Sequence, residues 1–247
     1  MMNHSLIGRR VLVTRALDDA MAWATELAHV GAVPVVFPCL STRPITDAVT
    51  AERLRTAVAD ADWIGVTSRR GVRSAAALLG APLPERVRVA AVGPATARTA
   101  SDLWGRSDLV ATHPTLEGLT ADLLVTTDSA DASHGTHLVL AGARTGRREG
   151  MQALLARGWR VTTVAVYETV PAPPTGRRID LGTERLDDIL LASPSAVTGL
   201  RNLASVPKAV RIFTIGPTTT AAARAAGLVV TAEARRPGLD GLLEAMQ

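Results

Sequence analysis

This sequence predicts an α/β fold built on two doubly wound parallel sheets, and three features point to it. Ten apolar runs of strand length alternate with amphipathic stretches along the 247 residues, the pattern of parallel sheets covered on both faces. A strand–Gly-Pro–helix junction, Phe213-Thr214-Ile215-Gly216-Pro217-Thr218-Thr219-Thr220, has a second copy in Val92-Gly93-Pro94-Ala95-Thr96. The likeness extends upstream: Asp62–Ser68 ends 25 residues before Gly93, and Asp188–Ser193 ends 23 before Gly216. A third pair, Val11-Leu12-Val13-Thr14-Arg15 with a helix to Gly31 and Leu138-Val139-Leu140-Ala141-Gly142 with a helix to Gly158, completes two tandem halves.

In chain order, Arg10–Thr14 is the first strand, followed by a helix with Ala20, Ala24, Leu27 and Ala28 on one face. Gly31 ends that helix in the position where a left-handed residue is common. Val33–Phe37 is the next strand, and Pro38 and Pro44 bracket an extended crossing. A helix over Thr50–Val58 leads to strand Asp62–Thr67, and Val72, Ala75, Ala76 and Leu79 form a helical stripe. Strand Val87–Val92, the Gly93-Pro94 helix, a short strand at Leu109–Ala111 and a helix with Leu119, Leu123 and Leu124 come next. Asp128–Gly135 reads as polar loop.

Strand His137–Ala141 opens a turn carrying Arg144, Arg147 and Arg148, and its helix has Met151, Leu154 and Leu155 in register. Strand Arg160–Val166 ends at Val166-Tyr167-Glu168-Thr169, and Pro171, Pro173 and Pro174 make a second extended crossing. Strand Asp187–Ala192, a helix through Val197 and Leu200, strand Val210–Ile215, the Gly-Pro-Thr-Thr helix, strand Leu228–Thr231 and a helix with Leu239, Leu242, Leu243 and Met246 finish the chain. Ten strands suit two five-stranded sheets better than one. The crossings then mark a discontinuous domain, 1–37 and 176–247, around a central domain 46–166, with connectors 38–45 and 167–175.

In such sheets ligands bind beyond the carboxyl ends of the strands. Thr14, Arg15, Thr67, Ser68, Gly93, Gly142, Ser193 and Gly216 all fall at such ends, and the cleft between the two edges is the expected site. Pro94 and Pro217 suit the first helical position, where a missing N–H is no loss. Thr96, Thr218 and Thr219 stand beside the free amides of those helix starts, where an anion can be held. The alternative reading of these threonines is helix capping.

Composition narrows the rest. With 47% hydrophobic residues the chain can bury two cores, and with four Trp, two Phe and one Tyr those cores must be packed by Ala, Val and Leu. The single Cys39 permits no internal disulfide and suits a reducing cytoplasm. No signal peptide or membrane span is expected, since early apolar runs soon meet a charge. The net charge is +4, and Lys208 is the one lysine among 27 basic residues; arginine's planar fork suits carboxylates. Phosphate-loop and Gly-x-Gly-x-x-Gly patterns are absent, which speaks against a nucleotide cofactor. His134 and His137 lack a third partner for a metal, no serine sits in a Gly-x-Ser-x-Gly elbow, and Cys39 has no setting of a nucleophile. Hydroxyls, backbone amides and arginine remain, a set suited to gripping a polyanion.

With those observations in place, the chain resembles the uroporphyrinogen-III synthase family over nearly its whole length. The likeness rests on Leu12-Val13-Thr14-Arg15, Val66-Thr67-Ser68, Val92-Gly93-Pro94-Ala95-Thr96, Val166-Tyr167-Glu168-Thr169, Ser193-Pro194-Ser195-Ala196-Val197 and Ile215-Gly216-Pro217-Thr218-Thr219. Each is short; six in order with matching spacing are specific. Two departures are visible. Many members carry an arginine just before the turn glycine where this chain has Ala141-Gly142, leaving Arg144 to reach the same place, and Arg69-Arg70 replaces small or polar residues.

The resemblance implies two flavodoxin-like domains joined by a two-stranded connector and a reaction without cofactor. Linear hydroxymethylbilane loses water and closes to a macrocycle with its last pyrrole ring inverted. Every ring carries an acetate and a propionate, which Thr96, Thr218 and Thr219 would hold jointly in the cleft with the strand-end residues and Arg144. Tyr167 would donate a hydrogen bond to the leaving hydroxyl, or else pack one domain against the other. A monomer is expected whose partner is a small linear tetrapyrrole, with neither nucleic acid nor membrane. The reading from a different class is a synthase-like two-lobed binding or regulatory module without catalysis, because fold alone does not decide function.

Overall fold

The computed structural model describes residues 6–127, 135–145 and 149–247. The chain opens with β1 (Arg10–Val13), α1 (Leu17–His29), β2 (Val33–Val36) and β3 (Leu40–Pro44). Next come α2 (Ala48–Ala59), β4 (Trp63–Val66), α3 (Arg69–Leu79), β5 (Arg88–Ala91), α4 (Pro94–Trp104), β6 (Leu109–Val110) and α5 (Leu116–Thr127). After β7 (His137–Ala143) the chain runs through a 3-10 turn into α6 (Gln152–Ala156) and then β8 (Arg160–Pro171). The last part holds β9 (Ile179–Asp180), β10 (Asp188–Leu191), α7 (Pro194–Leu203), β11 (Ala204–Ser205), β12 (Arg211–Thr214), α8 (Pro217–Ala225), β13 (Ala232–Glu233) and α9 (Leu239–Ala245).

Two compact units result: 1–42 with 169–247, and 43–168. In the first, one sheet runs β13-β12-β10-β1-β2; in the second the order is β8-β7-β4-β5-β6, with β3 added beside β8 where both strands cross the boundary at 42/43 and 168/169. The five strands of the first sheet are all parallel, as are β8-β7-β4-β5-β6 of the second. Both follow the flavodoxin-like strand order, the second unit entering it in the middle, so the direction of winding reverses between β1 and β10 and between β7 and β4. A further pair, β9 with β11, forms a small sheet of its own.

Alternation along each strand feeds two cores per sheet. In the first unit Val11 and Val13 join Leu27, Phe213 and Leu242 on one face, while Leu12, Ile189 and Leu191 join Val197 and Leu200 on the other. In the second unit Ile64 and Val66 pack with Leu54, Val72 and Ala75, and Trp63 and Leu138 with Leu119 and Leu154. At the amino end of β10 the buried Asp188 carboxylate pairs with Arg9 and, at 3.0 Å, with Arg211. Burial, helped by the neighbouring Asp187 carboxylate, pushes that carboxyl up to about 6 against the pull of the Arg9 guanidinium.

Four expectations are corrected. Strand Leu228–Thr231 is not formed: β13 lies further along the chain, with Phe213 opposite Ala232, and Val229 is exposed. β8 continues through Tyr167 to Pro171 because β3 pairs beside it. Their hydrogen bonds run from Ala172 N–H to the Cys39 carbonyl at one end and from Ile45 N–H to the Val166 carbonyl at the other, an antiparallel ladder. β9 and β11 were not foreseen. Ala28 and Leu155 are exposed, not in their stripes. Asp128, His134, Arg147 and Arg148 lie outside the described residues.

Cys39 is fully buried, with its thiol 3.4 Å from the Phe37 carbonyl, and burial pushes its pKa up to about 12. A protonated, inaccessible thiol is inert. Ellman's reagent at pH 8 is expected to leave the native protein unlabelled and to titrate one thiol per chain in denaturant; prompt native labelling would show the β3 approach open.

Candidate active site

The repeated motifs occupy equivalent places in the two units. Pro94 and Pro217 each begin a helix after a glycine with extended backbone, φ 178° at Gly93 and 168° at Gly216. Ser68 and Ser193 cap the preceding helices, accepting the Gly71 N–H at 3.0 Å and the Ala196 N–H at 3.1 Å. A serine here satisfies an amide the helix start leaves free. The free amides and hydroxyls of each unit therefore converge at the carboxyl edge of its sheet.

In the second unit that edge holds a cavity of about 360 Å³ at the reversal between β7 and β4. Thr67, Gly142, Tyr167, Thr115 and Glu117 are among its lining residues. Thr67 and Gly142 extend adjoining strands, whose register sets Val66 opposite Ala141. An alanine at Gly142 would bring its Cβ within 3.6 Å of the Thr67 hydroxyl. The ladder slips after Gly142, so that Ala143 lies opposite Tyr167. Such irregularities are common beside functional sites.

Tyr167 is 9% exposed and belongs to the second unit's core. Its hydroxyl lies 3.3 Å from Ser68 Oγ, and the Arg70 guanidinium stands 5.9 Å from its ring centre. The Tyr167 carbonyl accepts the Arg144 N–H at 2.9 Å, while the Arg144 side chain pairs with Glu168 at 3.0 Å. Arg144 is thus at the edge but turned to Glu168.

The remaining expected residues divide. Thr218 is exposed, at the second position of α8. Thr96 and Thr219, each at the third position of its helix, α4 or α8, are buried, which corrects the expectation that they face a ligand. A helix turns by about 100° per residue, from its 3.6 residues per turn, and the third position swings back over the sheet. Thr14 is also buried, its hydroxyl donating to the Leu190 carbonyl at 2.7 Å and closing the seam between β1 and β10. Arg15 pairs with Asp19 at 3.5 Å and lies 4.5 Å from the Trp23 ring centre.

Thr115 and Glu117 were missed. Thr115 caps α5 by accepting the Gly118 N–H at 3.0 Å, and a threonine just before the Leu116, Leu119, Leu123 stripe was the available signal. Among the described residues no group of three or more His, Cys, Asp or Glu could hold a metal ion. His137, expected to be a chance neighbour of His134, is buried with its ring nitrogens at 2.9 Å from the Asp60 carbonyl and the Thr162 hydroxyl.

Comparison with known proteins fits this arrangement. A family model described as uroporphyrinogen-III synthase HemD matches residues 21–244. The chain is 27% identical over 263 residues to the uroporphyrinogen-III synthase of Synechococcus elongatus, covering 100% of this chain and 97% of that protein. A mutant uroporphyrinogen III synthase from the extremely thermophilic bacterium Thermus thermophilus has a similar fold, with a TM-score of 0.51 at 21% identity and 96% of each chain covered. Because the family model runs through both units and across nearly all of the repeated motifs, the chain belongs to the uroporphyrinogen-III synthase family.

Proposed function

We propose that this chain is a uroporphyrinogen-III synthase, closing hydroxymethylbilane to the macrocycle with its last ring inverted and water released. The observation that carries the reading is the family likeness over 21–244; the Tyr167–Ser68 corner of the second unit supplies a chemical focus for it. The bilane closes unaided to the non-inverted isomer, so the protein has to direct a reactive cation rather than supply an aggressive reagent. Positioning the last ring and assisting loss of hydroxide are the tasks. Tyr167 is the proposed donor: its proton joins the departing hydroxide, and the proton a pyrrole carbon gives up on closure restores the phenol.

The substrate's carboxylates suit what each sheet edge offers. In the second unit these are Thr67, the amides after Gly93 and Gly142, and Arg144 if it exchanges Glu168 for substrate; Ser68 leaves the set because its hydroxyl is engaged with Gly71 and Tyr167. In the first they are Arg15, Ser193, Thr218 and the amides after Gly216. Thr14, Thr96 and Thr219 leave the proposed ligand set because they are buried. We further propose domains bounded near residues 38–45 and 167–175, a monomer without nucleic-acid partner, and a cytoplasmic location, which the single buried thiol suits. Among the described residues no helix is long and apolar enough to cross a membrane. The direct test is consumption of hydroxymethylbilane by purified protein without added metal or nucleotide, at a rate above spontaneous closure; a rate equal to the blank favours the non-catalytic module.

A further inference from the structure

Among the described residues, Ser68 Oγ has hydrogen-bond contacts with two groups. It accepts the Gly71 N–H at 3.0 Å and lies 3.3 Å from the Tyr167 hydroxyl. Ser193 caps α7 with almost the same backbone, φ −168° against −164° at Ser68, so capping alone accounts for a serine at this place in each unit. The tyrosine contact has no counterpart, because the chain has one tyrosine. We infer that Ser68 is a positioning residue: it donates its hydroxyl proton to the Tyr167 oxygen and leaves the phenol's own proton directed at the cavity.

The contact, the serine's cap and the cavity beside the tyrosine carry the inference together. A serine hydroxyl has one proton and two acceptor pairs. The Gly71 N–H occupies one pair; either hydroxyl can donate across the 3.3 Å contact, and the inferred direction is the one that leaves the phenol's proton for the cavity that Tyr167 lines. A phenol oxygen that accepts one hydrogen bond still has its own proton to donate. The ring has little freedom to leave: Tyr167 is 9% exposed, and its Cε1 would lie 3.8 Å from a Cβ at Gly71. Its backbone is tied by the Arg144 N–H at 2.9 Å. Its oxygen is thus held from the α3 side, and the residue lines the cavity. As negative charge grows on that oxygen during proton donation, the Ser68 O–H is already aimed at it, the preorganisation that costs no reorientation in the reacting complex.

The functional consequence rests on the proposed synthase reading; the contact itself does not, and the test separates them. With tyrosine labelled by ¹³C at Cζ, the protein gives one labelled resonance. Ser68→Ala is expected to move it and Ser68→Thr to restore it. In steady-state assays Ser68→Ala should lower kcat by roughly 3–10-fold, the worth of one neutral hydrogen bond, with KM little changed, and Ser68→Thr should recover most of the loss. In a Tyr167→Phe background Ser68→Ala should cause no further loss. A Cζ resonance unmoved by Ser68→Ala, or equal fold-losses in both backgrounds, overturns the inference. An inactive wild-type protein whose resonance still responds to Ser68 overturns the synthase reading and leaves Ser68 as the residue that orients the phenol.

Discussion

Gly199→Ala is expected to lower the melting temperature of the first unit by roughly 6–12 °C, from a loss of about 3 kcal/mol at 2–4 °C per kcal/mol. Gly199 lies buried in α7 with ordinary helical backbone, so conformational freedom is not the reason for glycine here. Close approach is. A Cβ at this position would stand 1.8 Å from the Cys39 carbonyl oxygen, 2.8 Å from its carbon and 3.2 Å from the Ala172 nitrogen. These are backbone atoms, and the carbonyl already accepts the Ala172 N–H at 2.8 Å. No rotamer change relieves the clash; the helix or the crossing must move. Gly176→Ala, where nothing lies within 4 Å, is the control and should stay within about 0.5 kcal/mol of the parent. Equal melting of the two variants, followed by circular dichroism, would show that α7 does not seat against Cys39.

Tyr167→Phe is expected to lower kcat by roughly 10–100-fold while lowering the melting temperature by no more than about 6 °C. The ring keeps its place among the apolar side chains of the second unit. Only the hydroxyl goes, and with it one hydrogen bond to Ser68 of 3.3 Å, worth about 0.5–1.5 kcal/mol. The effect stays at the low end of general-acid catalysis because the electron-rich pyrrole already stabilises the cation. Product that forms should still be mostly the inverted isomer, since ring placement depends on the carboxylate contacts. Rates are read by single-turnover quench. An unchanged kcat would reduce Tyr167 to a packing residue and leave the amides and arginines as the whole apparatus.

What the sequence disclosed about this site follows from what repeats. The Gly93-Pro94 and Gly216-Pro217 junctions recur with one backbone geometry, and a strand that stops at glycine before proline has few other conformations open to it. Doubly wound sheets were legible because strands buried on both faces are apolar almost throughout, as in Asp188-Ile189-Leu190-Leu191.

Edge strands were not legible. Leu228-Val229-Val230-Thr231 has stronger β propensity than Ala232-Glu233, yet the latter pair with β12. Register at an edge is decided by tertiary pairing and not by local preference. For β3 the prolines marked an extended crossing, and the family resemblance supplied its pairing with the end of β8 as a two-stranded connector.

Within the site, residue type was legible and side-chain direction was not. Ser68 and Ser193 could be recognised as caps from their spacing to Gly71 and Ala196. Thr96 and Thr219 differ from Thr218 by one helical position, and that step decides between a buried hydroxyl and an exposed one. Tyr167 stood out because it is the chain's sole tyrosine, but its partner Ser68, 99 residues away, is visible only in three dimensions.

The measurement that bears most directly on the synthase reading is the isomer composition of the product. Purified protein is mixed with hydroxymethylbilane, the porphyrinogens are oxidised, and the type I and type III porphyrins are separated by reversed-phase chromatography. Type III in large excess with enzyme, against type I in the blank, is the expected result. A product mixture with enzyme that matches the blank, under conditions where the protein is folded, would contradict it.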